Sequence, residues 1–114
     1  HTERGLDILK AVKNVEIAFE NSEYSHKKTE LKNFQILEGV YTFLAYLAFV
    51  KEDEVYQKMS SELKKFIKER KISTFEILKY QRFGKNYLLS LPLKKQVYYL
   101  LYFFGLEKII RKMI

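Results

Sequence analysis

The most apolar stretch of the chain runs from Val40 to Val50 and reads VYTFLAYLAFV. It follows Glu38 and Gly39 and is followed by Lys51 and three acids, which limits the apolar run to eleven residues. A membrane-spanning helix needs about 20 apolar residues. We therefore predict a long second helix, from about Lys27 to Val50, whose apolar end is surrounded by other helices at the centre of the core.

Apolar residues recur at helical spacing on both sides of this stretch. Thr2 can cap a first helix, and a third helix follows the acids 52–54 and ends at about Lys71. We expect basic residues on the outer face of this third helix: Lys58, Lys64, Lys65, Lys68 and Arg70.

The pattern continues to the carboxyl end. Ser73 and Glu76 have the spacing of a capping box, which opens a short fourth helix predicted to end near Gly84. Pro92 suits the first turn of a fifth helix. Gly105 breaks or kinks that helix, and residues 106–113 form a last short basic helix.

These patterns predict an all-α fold, a compact bundle of five to six helices in a single domain over residues 1–114. Zero cysteines exclude a disulfide framework and fit a reducing, cytoplasmic compartment. The chain begins without Met, and we expect it to be the carboxyl-terminal piece of a longer protein.

Charge divides the chain into two unequal halves. Residues 1–57 hold seven Lys and Arg against ten Asp and Glu, whereas residues 58–114 hold fourteen against four. The second half also carries five of the nine tyrosines. A basic, aromatic surface attracts partners that bear phosphate or carboxylate: anionic lipid, nucleic acid or an acidic protein.

No residue pattern indicates catalysis. His1 and His26 lack the spacing that places two metal ligands on one helix face, and the acids 52–54 suit a helix amino terminus better than a metal site. The segment 82–86 lacks the spacing of a phosphate-binding loop. We predict no catalytic, cofactor-binding or metal-binding residue in this chain.

The predicted interface is the tyrosine-bearing face of the fifth helix with the cations around it. Tyrosine side chains are favoured at the lipid headgroup boundary, and the aliphatic part of a lysine side chain can extend from there so that its ammonium group stays in water. Packing of this face against neighbouring helices or another domain remains the alternative. The predicted docking residues are Lys94, Lys95, Tyr98, Tyr99, Tyr102, Lys108, Arg111 and Lys112.

Three segments carry a family resemblance: residues 75–84, reading FEILKYQRFG, residues 90–95, reading SLPLKK, and residues 99–106, reading YLLYFFGL. They resemble the helical extension that follows the catalytic domain in bacterial family 2 glycosyltransferases of capsule, exopolysaccharide and other surface-glycan synthesis. Residues 3–11, ERGLDILKA, are similar to the segment that leaves the nucleotide-sugar domain in that family.

The resemblance implies a non-catalytic accessory domain. Its partner would be an upstream GT-A domain that binds a divalent metal and a nucleotide sugar through an Asp-x-Asp motif, which this chain lacks. The resemblance also implies a position against the cytoplasmic face of the membrane. Two other functions remain open, a basic helical module that binds nucleic acid and a protein–protein adaptor, and so does self-association.

Overall fold

A computed structural model describes residues 2–23 and 26–106, with side chains from Gly5 onward. The chain divides into two compact units, His1–Ile72 and Ser73–Ile114, which we call the N-unit and the C-unit. Within the described ranges, five helical segments account for nearly all regular structure, so the predicted all-α class is confirmed. The assignment of residues 1–114 to one domain stays a prediction.

The N-unit is built from helices. Its elements are α1 (Thr2–Glu20), α2 (Lys28–Phe34), a π-helix (Gln35–Tyr41), α3 (Thr42–Leu47) and α4 (Asp53–Glu69). The π-helix joins α2 to α3 without a break, so residues 28–47 form one long helical segment close to the predicted second helix.

The apolar end of this long segment is the core of the N-unit, as predicted. Val40, Phe43, Leu44 and Leu47 are fully buried, and α1 and α4 both pack against the part of the chain that carries them. Phe49 follows the end of α3 and is 81% exposed. Phe49 is thus an exposed apolar side chain next to an otherwise largely buried run.

The ring of Phe66 in α4 lies against the π-helix at Gly39. An added Cβ at Gly39 would stand 2.6 Å from Cζ of Phe66, a distance that a real side chain cannot hold. The Thr42 hydroxyl donates to the Leu37 carbonyl, five residues back, over 3.1 Å. Glycine at 39 thus lets the ring of Phe66 lie directly on the backbone of the π-helix.

The C-unit contains shorter elements. They are α5 (Thr74–Leu78), strands β1 (Gln81–Arg82) and β2 (Lys85–Asn86), a 3₁₀ helix (Leu88–Ser90) and α6 (Leu93–Phe103). The predicted capping box opens α5: the Ser73 hydroxyl accepts from the Glu76 amide over 3.1 Å, and the Glu76 carboxylate accepts from the Ser73 amide over 3.0 Å.

The fourth helix does not reach Gly84, and this prediction is wrong. It ends at Leu78, and Gly84 instead lies in the turn of a two-stranded antiparallel hairpin. Gly105, by contrast, follows the end of α6 as predicted, with a φ of 77°. No helix in the part of the chain that the structure describes is both long enough and apolar enough to cross a bilayer.

Candidate functional site

The tyrosines predicted to face outward are buried, so this part of the predicted interface is wrong. Tyr98, Tyr99 and Tyr102 retain only 8%, 3% and 4% of their exposure. The rings of Tyr98 and Tyr99 meet edge to face with their centroids 5.4 Å apart. Tyrosine rings carry a large apolar area, and burying it stabilises the fold.

Burial also fixes the ionisation of one of these rings. Removal from water raises the pKa of Tyr99 to about 12, and the neighbouring Tyr87 phenol contributes in the same direction. The Tyr99 hydroxyl is therefore neutral at every physiological pH. We assign it to the packing of α6 and not to a binding surface.

The predicted cations fall into two groups. Lys94 and Lys95 are exposed in the first turn of α6, as expected. Lys108, Arg111 and Lys112 lie outside the described residues. The structure thus brings two of the eight predicted docking residues to an exposed position.

The hairpin contributes exposed residues that the sequence analysis missed. Gln81 pairs with Asn86 and Arg82 with Lys85, which leaves Phe83 and Gly84 as a two-residue turn. Phe83 is 90% exposed, and the Arg82 guanidinium carbon lies 5.0 Å from the centre of its ring. An exposed phenyl ring between two cations therefore forms the tip of the hairpin.

Hydrogen bonds hold the base of the hairpin in place. The Tyr87 amide donates to the Tyr80 carbonyl over 2.9 Å, which continues the ladder beyond the strands. The Asn86 side chain donates to the Leu78 carbonyl over 3.1 Å and accepts from the Leu89 amide over 3.0 Å. Asn86 thus ties the hairpin both to α5 and to the 3₁₀ helix.

The elements after the hairpin expose two further apolar side chains. Leu89 in the 3₁₀ helix is 70% exposed, and Leu93 at the start of α6 is 74% exposed. The Gln96 side chain donates to the carbonyls of Leu89 and Leu91, which fixes the 3₁₀ helix against α6. The 3₁₀ helix also packs against β2, so the three elements adjoin.

We call the exposed charged and large apolar side chains of the hairpin, the 3₁₀ helix and the start of α6 the basic apolar surface. It consists of Arg82, Phe83, Lys85, Leu89, Leu93, Lys94 and Lys95. Residues 77–106 contain five Lys and Arg and no Asp or Glu, and all five cations are exposed. The surface therefore presents positive charge together with apolar side chains, without a carboxylate nearby in sequence.

The N-unit has a groove of about 750 Å³ between α1, α2 and α4. At one end the Glu16 carboxylate accepts from the side chains of Arg70 and Gln35. Burial alone would raise the pKa of Glu16, but these hydrogen bonds and the charges of Arg70 and Lys13 outweigh it and lower the pKa. Four cations and four acids line the groove and cancel in charge, so it favours no charged ligand class.

Metal chemistry gains no support from the described residues. Among them, no three His, Asp or Glu side chains converge in a way that could hold a metal ion.

Comparison with known proteins finds no matching family model, no similar curated protein and no similar solved structure. The basic apolar surface is therefore the candidate site that the structure supports best.

Proposed function

We propose that this chain is a non-catalytic accessory module that docks on the anionic face of a membrane through the basic apolar surface. The observation that supports this most directly is the combination of four exposed cations, Arg82, Lys85, Lys94 and Lys95, with exposed Phe83, Leu89 and Leu93. Cations near an anionic leaflet each contribute about 1 kcal/mol. Four together give weak, reversible association, as expected for a peripheral module.

The apolar members of the surface favour lipid over the two alternatives left open by the sequence. Duplex nucleic acid attracts cations through its phosphates but leaves exposed apolar side chains in water, and an unpaired base that stacks on the Phe83 ring still leaves Leu89 and Leu93 in water. A membrane interface takes up both parts of the surface, because the charged headgroups lie directly above apolar acyl chains. Binding to nucleic acid would appear as an outcome of the experiment below.

The resemblance to family 2 glycosyltransferases supports a wider role. In that role the module would brace an upstream catalytic domain and hold it near lipid-linked acceptors at the inner face of the membrane. The residues encoded upstream of His1 test this part separately. An α/β domain with an Asp-x-Asp motif supports it, and any other upstream domain contradicts it.

Co-sedimentation with vesicles tests the docking itself. We expect the protein to sediment with vesicles of equal parts phosphatidylcholine and phosphatidylglycerol, but not with pure phosphatidylcholine, and to be released by salt because exposed charges are screened. A triple variant of the surface, Lys85→Gln, Lys94→Gln and Lys95→Gln, should lose this association.

The matched control removes the same charge from α4 of the N-unit. Lys58→Gln, Lys65→Gln and Lys68→Gln change three exposed lysines, and this variant should sediment like the wild type. Equal losses in the two triple variants would mean that net charge alone acts, without a specific surface. Retention on duplex or single-stranded DNA at salt concentrations that release the vesicles would favour nucleic acid instead.

A further inference from the structure

We propose that the hairpin tip is a lipid-inserting wedge, in which Phe83 enters the acyl region while Arg82 and Lys85 hold lipid phosphate above it. This inference rests on the proposed docking and names its inserting element. Three features of the hairpin support it: a turn conformation that disfavours phenylalanine at position 83, the exposure of that ring in water, and a pair of like charges beside it.

The first feature is the backbone of the turn. Phe83 has a φ of 56° and Gly84 a φ of 76°, so both residues of the turn are left-handed, as in a type I′ hairpin. Such turns favour Asn, Asp or Gly at these positions, and a bulky residue there is an outlier. Phenylalanine at position 83 therefore does not stabilise the turn.

The second feature is the exposure of the ring. Phe83 is the most exposed of the large apolar residues in the described part of the chain, at 90%. An added Cβ on neighbouring Gly84 would meet no atom within 4 Å, so the tip projects into open space. The ring can therefore enter the acyl region of a bilayer without a change in the hairpin backbone.

The third feature is the charge pair beside the ring. Arg82 and Lys85 are direct partners in the antiparallel ladder, and directly opposed residues share one face of a hairpin with their Cβ atoms about 5 Å apart. Like charges in this arrangement repel each other. A phosphate between them removes the repulsion and accepts hydrogen bonds from both side chains.

Phosphate alone would satisfy only this third feature. A lipid headgroup joined to acyl chains satisfies the second and the third, because it places anionic oxygens beside Arg82 and Lys85 and apolar chains below Phe83. The ligand class is therefore an anionic glycerophospholipid in a bilayer, and inorganic phosphate should not compete for it at the concentrations that support vesicle binding.

A tryptophan reporter tests the insertion directly, because the chain contains no Trp of its own. In Phe83→Trp, we expect a blue-shifted emission on vesicles of phosphatidylcholine and phosphatidylglycerol. We also expect quenching when the phosphatidylcholine carries bromine on its acyl chains. The control is Phe49→Trp, at another highly exposed phenylalanine in the N-unit; its emission should neither shift nor be quenched. Far-UV circular dichroism checks that both variants fold.

The outcomes separate the wedge from the docking. If Phe83→Trp sediments with anionic vesicles but its emission is not quenched, docking stands and insertion is overturned. If Phe83→Trp does not sediment while the wild type does, Phe83→Leu is measured in its place. Retained binding of Phe83→Leu supports apolar insertion. In that case Phe83→Ser should bind the vesicles about tenfold more weakly than the wild type. Equal binding of Phe83→Ser and wild type overturns the wedge. Failure of the wild type itself to sediment overturns both proposals.

Discussion

Arg70 binds Glu16 with two nitrogens of its guanidinium group: Nε and Nη2 each donate to a different carboxylate oxygen over 2.7 Å. The pair joins the end of α4 to α1 across 54 residues of sequence. The guanidinium also lies 3.7 Å from the centre of the Phe66 ring, and both charged side chains are mostly buried. One arginine therefore connects two helices and covers the ring that packs on Gly39.

Replacing Arg70 by lysine should destabilise the N-unit although the charge is kept. An ammonium group cannot bond both carboxylate oxygens in this planar arrangement, and it stacks less well on Phe66. We expect a loss on the order of 1–2 kcal/mol in the free energy of unfolding, measured in urea. The control is Lys68→Arg, two residues away and exposed, which should leave stability within error. A neutral result for Arg70→Lys would show that the bidentate geometry adds nothing.

Acid should weaken the N-unit through Glu16. The pKa of this carboxyl is lowered from its ordinary value of 4.5 in the folded state, so the unfolded chain takes up its proton first as pH falls. The contribution of Glu16 to stability is complete above about pH 4.5 and is lost as pH drops through the lowered folded value. Unfolding free energies measured across this range should fall more steeply for wild type than for Glu16→Gln. Parallel curves would contradict the prediction.

Gly39→Ala should destabilise the N-unit because the new methyl would overlap the ring of Phe66. Overpacking of this kind costs about 1–3 kcal/mol, which outweighs the higher helix propensity of alanine. The smaller ring-free side chain in Phe66→Leu should relieve the overlap. In a double-mutant cycle, the two changes together should cost less than the sum of the single costs. Additive costs would mean that the methyl is accommodated by backbone movement.

Contacts between residues close in sequence could be predicted from the sequence, whereas contacts between distant residues could not. The capping box of Ser73 and Glu76 was predicted and is present because both of its hydrogen bonds span three residues. Arg70 was expected on the outer basic face of the third helix, which is wrong. Its partner Glu16 is distant in sequence, and helical periodicity alone does not reveal such a contact.

The candidate site shows the same limit. A helical wheel separates Tyr98, Tyr99 and Tyr102 from the leucines of α6. It does not say whether the aromatic face or the aliphatic face is the buried one. The hairpin was missed because its turn reads Phe-Gly and lacks the Asn-Gly or Asp-Gly signal of a type I′ turn. The signal that could have found it is the Phe-Gly pair preceded by Gln-Arg and followed by Lys-Asn.

Phe83→Asn should separate the stability of the hairpin from its binding. Asparagine adopts the left-handed conformation of position 83 more readily than phenylalanine, so the turn should become more stable by about 0.5–1 kcal/mol. The same change removes the exposed ring and should weaken association with anionic vesicles, while Arg82 and Lys85 keep their charges. Thermal unfolding and vesicle co-sedimentation measure the two effects on one sample. Higher stability with undiminished vesicle binding would show that the ring at 83 has no part in docking.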